Sequence, residues 1–102
     1  MSDGLRFHPQ IPNDLAAALT HYESISADLA NRFRSAVSNV LRQIREFPEM
    51  YSVVFDDVRI ARTKGFPYVV QYRVKNNIQF VLAVFHSSTA SDKWRERALT
   101  EL

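Results

Sequence analysis

The 102-residue chain contains no cysteine, so disulfides, thiolate nucleophiles and cysteine-ligated metals are all unavailable to it. Glycine is almost as scarce: Gly4 and Gly65 are the only two, which excludes a glycine-rich loop cradling phosphates. Four prolines complete a composition with little material for long flexible loops. No stretch approaches the ~18 consecutive apolar residues of a membrane-spanning helix. Asp3, Arg6 and His8 interrupt any apolar run near Met1, so no secretory signal is read there. A cytoplasmic protein without a membrane partner is expected. His8, His21 and His86 lack metal-site spacing, and no acidic pair stands near them, so neither a metal nor another cofactor is expected.

What is present suits one domain spanning residues 1–102, since this length buries a single core but hardly two. Apolar residues make up 46% and charged residues 24%, a balance that argues against disorder. The net charge of +2 conceals an asymmetry. Residues 1–57 hold five lysines and arginines against eight acidic residues, whereas residues 58–97 hold eight against two. The C-terminal part therefore attracts anions, whether a nucleic acid or an acidic protein segment.

Periodicity orders the chain. Leu5 to His8 alternates as a short strand does. Ile11, Leu15, Ala18, Leu19 and Tyr22 place one apolar stripe on a first helix, with Pro9 and Pro12 at its start. Ser24-Ile25-Ser26 breaks it, and Ser26 is placed to cap the next helix with Asp28 in its first turn. From Leu29 through Phe33, Val37, Val40 and Ile44 to Phe47 the 3.6-residue period holds until Pro48 ends it. Strands are expected over 51–55, 58–63, 68–75 and 78–85, with Asn76-Asn77 as a two-residue hairpin turn. The last of these is apolar on almost every residue and belongs in the sheet centre. Ser91 or Asp92 caps a closing helix running toward Leu102. The order implies an α+β fold: a strand, a helical hairpin, then a three- to four-stranded antiparallel sheet packed on the hairpin, and a short C-terminal helix. The second sheet face is expected to be partly open.

Residues from Phe7 to Arg97 resemble toxins of the RelE/ParE superfamily of type II toxin–antitoxin systems. The resemblance is carried by Asp14-Leu15, Tyr22-Glu23, Leu29 with Phe33, Phe47-Pro48 with Tyr51, and Arg59. Phe66-Pro67-Tyr68 with Tyr72, the run Val81 to His86, and Trp94 with Arg97 complete it. The FPYxxxY segment, the strand ending AVxH and the closing WxxR are more similar to the ParE, or plasmid-stabilisation, branch. The resemblance implies a βααβββ fold and a cognate antitoxin whose acidic C-terminal segment wraps and neutralises the toxin. For activity it implies one of two things. ParE-like members inhibit DNA gyrase without established catalytic residues of their own, and RelE-like members cut mRNA on the ribosome. A degenerate toxin that only binds antitoxin is a third possibility.

Metal-free RNA cleavage needs a base for the 2′-hydroxyl, cations for the developing charge and an acid for the leaving oxygen. His86 is the candidate catalytic residue, its ordinary pKa lying near neutrality; its alternative is a hydrogen-bonded histidine at a strand end. Arg59, Arg62, Lys64, Arg73, Arg95 and Arg97 are the candidates for binding a target or phosphates. By the resemblance, a nuclease would carry arginine in the loop held here by Ser87 to Ala90, and at Val69. Both departures favour an inhibitor that binds a protein. Tyr68 and Tyr72 share a strand face with Val70 and Val74 and are assigned to the core, and Trp94 to docking the last helix.

Overall fold

The computed structural model describes residues 4–99. Its elements run β1 (Leu5–Phe7), α1 (Ile11–Glu23), α2 (Ala27–Glu46), β2 (Val53–Phe55), β3 (Val58–Arg62), β4 (Tyr68–Lys75), β5 (Ile78–His86) and α3 (Ser91–Ala98). The five strands form one sheet in the order β1-β5-β4-β3-β2. Strands β2 to β5 are the expected antiparallel meander. The sheet departs from a purely antiparallel one at β1, which pairs in parallel with β5 through Leu5↔Gln79 and Phe7↔Val81.

The local reasons for the helices are those the residues supply. Pro12 sits in the first turn of α1, where a missing N–H costs nothing. The Ser26 hydroxyl accepts from the Leu29 N–H at 3.0 Å and caps α2, and the helix stops at Glu46, just before Phe47-Pro48. At α3 the cap differs from expectation. Ala90 occupies the N-cap with no side-chain bond, and the Asp92 carboxylate accepts from the Lys93 N–H instead. The stretch beyond Leu99, where the helix was expected to reach Leu102, lies outside the described residues.

One sheet face carries the helical hairpin. Val40 and Ile44 of α2 and Ile11 of α1 pack with Ala61, Val70, Tyr72 and Val81. Farther along, Tyr22, Phe33, Phe66 and Tyr68 form an edge-to-face aromatic group. Phe33 and Ile44 are fully buried, so either truncated to alanine would lose about 2–5 kcal/mol. Phe47, the last residue of the periodic stripe, is instead exposed, because the chain has already left the helix there.

The opposite face is more covered than its sequence suggests. Helix α3 lies over it, with Ala98 against Val58 and Leu82, and Trp94 stacked on Phe85 at 5.9 Å. Val69 and Gln71 are buried there rather than half-exposed. Gln71 secures the helix by donating to the Trp94 carbonyl at 3.0 Å. The hairpin turn has Asn76 and Asn77 at φ 56° and 64°, the left-handed values that asparagine tolerates.

Strand β5 is irregular near its middle. Gln71 pairs with Ala83 but the next residue, Tyr72, pairs with Val81, leaving Leu82 as an extra residue. Such a bulge turns Leu82 and Ala83 to the same face and frees main-chain groups around them.

Candidate functional surface

The sequence offered seven charged or titratable candidates, and the fold separates their six cations into two groups. Four of the cations are engaged with the fold itself. Arg97 grips Asp14 with both terminal nitrogens, at 2.8 and 3.0 Å, and also donates to the Leu82 carbonyl at 2.9 Å. Its guanidinium lies 5.2 Å from the Phe85 ring centre. Arg73 pairs with Asp57 and donates to the Ala98 carbonyl at the end of α3. Arg59 donates to the carbonyls of Glu49 and Tyr51, fastening the segment that leads from α2 to β2. Arg95 lies over the Phe55 ring at 4.7 Å, on the exposed side of α3.

Arg62 and Lys64 form the second group. Both are exposed at the end of β3, and neither has a carboxylate within ion-pair distance among the described residues. Beside them the sheet face opposite the hairpin holds a concavity of about 540 Å³. Met50, Val54, Ile60, Val69 and Trp94 supply its apolar wall, Arg62 its cationic rim and Ser87 its far edge. Met50 and Val54 are roughly half exposed, as are Phe47 and Val53 nearby, so the apolar area continues beyond the concavity. This patch was not legible in the sequence as a surface, because methionine and valines in a strand-like run read equally well as core.

His86 stands apart from all six cations in its bonding. Its exposed ring meets Tyr68 edge-on at 5.3 Å, and its Nδ1 accepts from the Ser88 N–H at 3.1 Å with the Ser88 hydroxyl at 2.8 Å. Among the described residues no guanidinium or ammonium bonds to it. His8, by contrast, is buried, and its Nδ1 accepts from the Gln10 N–H at 3.0 Å. Burial pushes its pKa below the usual 6.5, Arg97 pushes the same way, and Asp14 opposes them. Tyr72 is fully buried and donates to the Pro48 carbonyl at 2.6 Å. Burial pushes its pKa up to about 12, with Arg59 opposing.

No group of three or more potential metal-ligating side chains comes together among the described residues. Nor is any described helix long and apolar enough to cross a membrane.

A family model, described as the ParE toxin of the type II toxin-antitoxin system parDE, matches residues 5–90, most of the described fold. The chain belongs to the ParE toxin family. Among curated proteins it is similar to Toxin ParE2 of Mycobacterium tuberculosis, in the CDC 1551 and H37Rv strains. Identity to each is 29% over 87 residues, covering 84% of this chain and 83% of the relative. Among solved structures it is similar to a chain of the chromosomal ParDE TA system from P. aeruginosa, with a TM-score of 0.71 at 16% identity. That superposition covers 81% of this chain and 94% of the other, and at such low identity it speaks for the fold alone. The chain is thus a ParE-type toxin of a type II toxin–antitoxin system. The matched span stops short of α3, so the side chains through which this ParE-family member holds that helix, Arg73, Gln71 and Arg97, are read from its own structure.

Proposed function

We propose that this ParE-family toxin works in the cytoplasm by binding and inhibiting a protein, DNA gyrase, and that it belongs to a plasmid-stabilisation type of pair. A cognate antitoxin holds it inactive by laying an acidic C-terminal segment along the sheet and the helical hairpin. The observation that carries this reading is the surface beside β3. Arg62, without a carboxylate partner among the described residues, rims an open apolar concavity with the equally unpaired Lys64 two residues on, and that combination suits a protein contact. Cleavage of RNA would ask for cations arranged around a base. His86 is instead bonded to Ser88, while Arg59, Arg73 and Arg97 are committed to carbonyls and carboxylates of the fold.

Induced expression in a bacterial host tests this reading when gyrase-linked DNA breaks and transcript ends are followed together. The expected result is growth arrest with trapped gyrase–DNA complexes and intact message, relieved by co-expressing a small acidic antitoxin from the adjacent gene. Message cut within translating ribosomes, and spared in the His86→Ala variant, would instead establish the RelE-like endonuclease. Full expression without arrest would make this a toxin that keeps fold and antitoxin binding alone.

A further inference from the structure

Helix α2 belongs to the part of the chain in which acidic residues outnumber basic ones, yet no acid stands between Asp28 and Glu46. Arg34, Ser38, Arg42 and Arg45 are spaced by four, four and three residues, which sets them in one stripe along the helix. All four are exposed, while the buried Ala36, Val40 and Ile44 hold the side toward the sheet. Arg34 is paired with Glu23. Arg42 and Arg45 have no carboxylate within ion-pair distance among the described residues.

At Arg42 this stripe meets the end of β3. A cleft of about 320 Å³ lies between Asn39, Arg42 and Gln43 of the helix and Arg62 and Lys64 at the strand end. No carboxylate lines it. The Asn39 amide oxygen accepts from Arg42 at 2.9 Å, which steadies the guanidinium and leaves the amide N–H groups to donate elsewhere. Ala36 and Val40 also line the cleft, but both are buried. The cleft therefore offers cations and amides without a hollow for an apolar anchor, unlike the concavity of about 540 Å³ that Arg62 also lines. A bound protein segment draws most of its affinity from such anchors, whereas a chain of oxyanions needs only this donor set. Nor does an aromatic ring line the cleft, and single-stranded nucleic acids are held by stacking their bases on such rings.

We propose that this cleft, with the α2 stripe leading away from it, holds the phosphodiester backbone of duplex DNA. Arg42, Arg62 and Lys64 neutralise phosphates, and the amides of Asn39 and Gln43 donate to phosphate oxygens. Contacts of this kind position the duplex without reading its bases, so the binding is independent of sequence. With a net charge of only +2 the chain as a whole attracts DNA weakly, and the affinity comes from the local cluster. The inference goes beyond the gyrase reading and does not need it. Together the two give the toxin a protein contact at the apolar hollow and a DNA contact at the adjoining cleft.

A fluorescent mixed-sequence duplex of about 20 base pairs, titrated with the full chain and followed by anisotropy, tests this without gyrase. Three neutralised phosphates predict a slope of about −2.7 in log K against log salt, a loss of about 40-fold between about 50 and 200 mM. Arg42→Gln and Lys64→Gln, both at exposed positions and checked for native circular dichroism, should each weaken binding about threefold or more and make the slope shallower by about one. Arg32→Gln removes the same charge from the same helix, but outside the stripe and from a pair with Asp28 at 3.1 Å. It should leave binding within about twofold of wild type. Equal weakening by Arg32→Gln overturns the proposal, because attraction would then follow net charge alone. So does tighter binding of single-stranded RNA of the same length, or absence of saturable binding up to about 100 μM chain at the lower salt. Gyrase inhibition is assayed separately, so failure here leaves that reading standing.

Discussion

Arg97 and Asp14, eighty-three positions apart, meet around the side of β5 that β1 leaves uncovered. Asp14 comes from α1 on one sheet face and Arg97 from α3 on the other. Their carboxylate and guanidinium also satisfy the strand between them: Asp14 accepts from the Val84 N–H at 3.0 Å, and Arg97 donates to the Leu82 carbonyl. Both groups lie beyond the reach of β1, whose pairing with β5 ends at Val81. The pair thus closes the sheet edge where a longer β1 would otherwise have paired.

The side chains of Asp14 and Arg97 are only 10% and 16% exposed, so removing either strands a charge in a dry setting. Arg97→Ala or Asp14→Asn should each cost about 3–5 kcal/mol in chemical denaturation. The double variant Asp14→Leu/Arg97→Met should not recover the loss, although buried pairs can often be replaced by apolar residues. Here the replacement also orphans the Leu82 carbonyl and the Val84 N–H. Full recovery in the double variant would show that the bond to the strand is unimportant.

Stability should also fall on mild acidification, through His8. Its folded pKa lies below the unfolded value of 6.5, so the unfolded chain binds the proton more readily. The contribution is complete above 6.5 and is lost as pH falls through the folded value. Thermal melts between about pH 8 and pH 5 should show a decline that is shallower in His8→Asn, whose amide oxygen can still accept from Gln10. An unchanged slope in the variant would assign the decline elsewhere.

Tyr72 gives a prediction at the alkaline end. Its phenol is held protonated up to about 12, against 10.0 in an unfolded chain. The stability it contributes is present below 10.0 and lost as pH rises through about 12. Tyr72→Phe should remove this part of the alkaline decline. At neutral pH it should cost about 1–2 kcal/mol, because the Pro48 carbonyl loses its donor. Equilibrium unfolding at both pH values measures the two effects.

The contrast between α2 and Arg97 shows where the sequence is readable. Helix α2 carries its own punctuation, with Ser26 before it, Pro48 after it and an apolar stripe at constant period between. Its position on the sheet follows from that stripe. The Asn76-Asn77 turn and the alternation of β4 are local in the same sense. Arg97 has no local signal of its partner: Asp14 becomes its neighbour only once α1 and α3 have docked on opposite faces. The bulge at Leu82 is silent for another reason, since an extra apolar residue inside an apolar run leaves the pattern unchanged. Three residues of β1 likewise cannot declare whether they pair in parallel.

The same distinction applies to the candidate surface. Sequence reading places a cationic excess after residue 58 and assigns Tyr68 and Tyr72 to packing, and the structure buries Tyr72 completely. It does not tell Arg62 and Lys64 from Arg59, Arg73 and Arg97, because carbonyl acceptors that occupy an arginine leave no trace in the sequence. Nor does it join Met50, Val54 and Trp94 into one hollow. Those residues come from a loop, an edge strand and α3, and only the sheet brings them together.

Inhibition of gyrase by binding, without chemistry at His86, is the central proposal for this ParE-family chain. Supercoiling of relaxed plasmid by purified gyrase, with wild-type protein and His86→Ala assayed side by side, tests it most directly. Equal inhibition by both proteins, with trapped cleavage complexes, is the predicted result. Undiminished supercoiling in the presence of folded wild-type protein would contradict it.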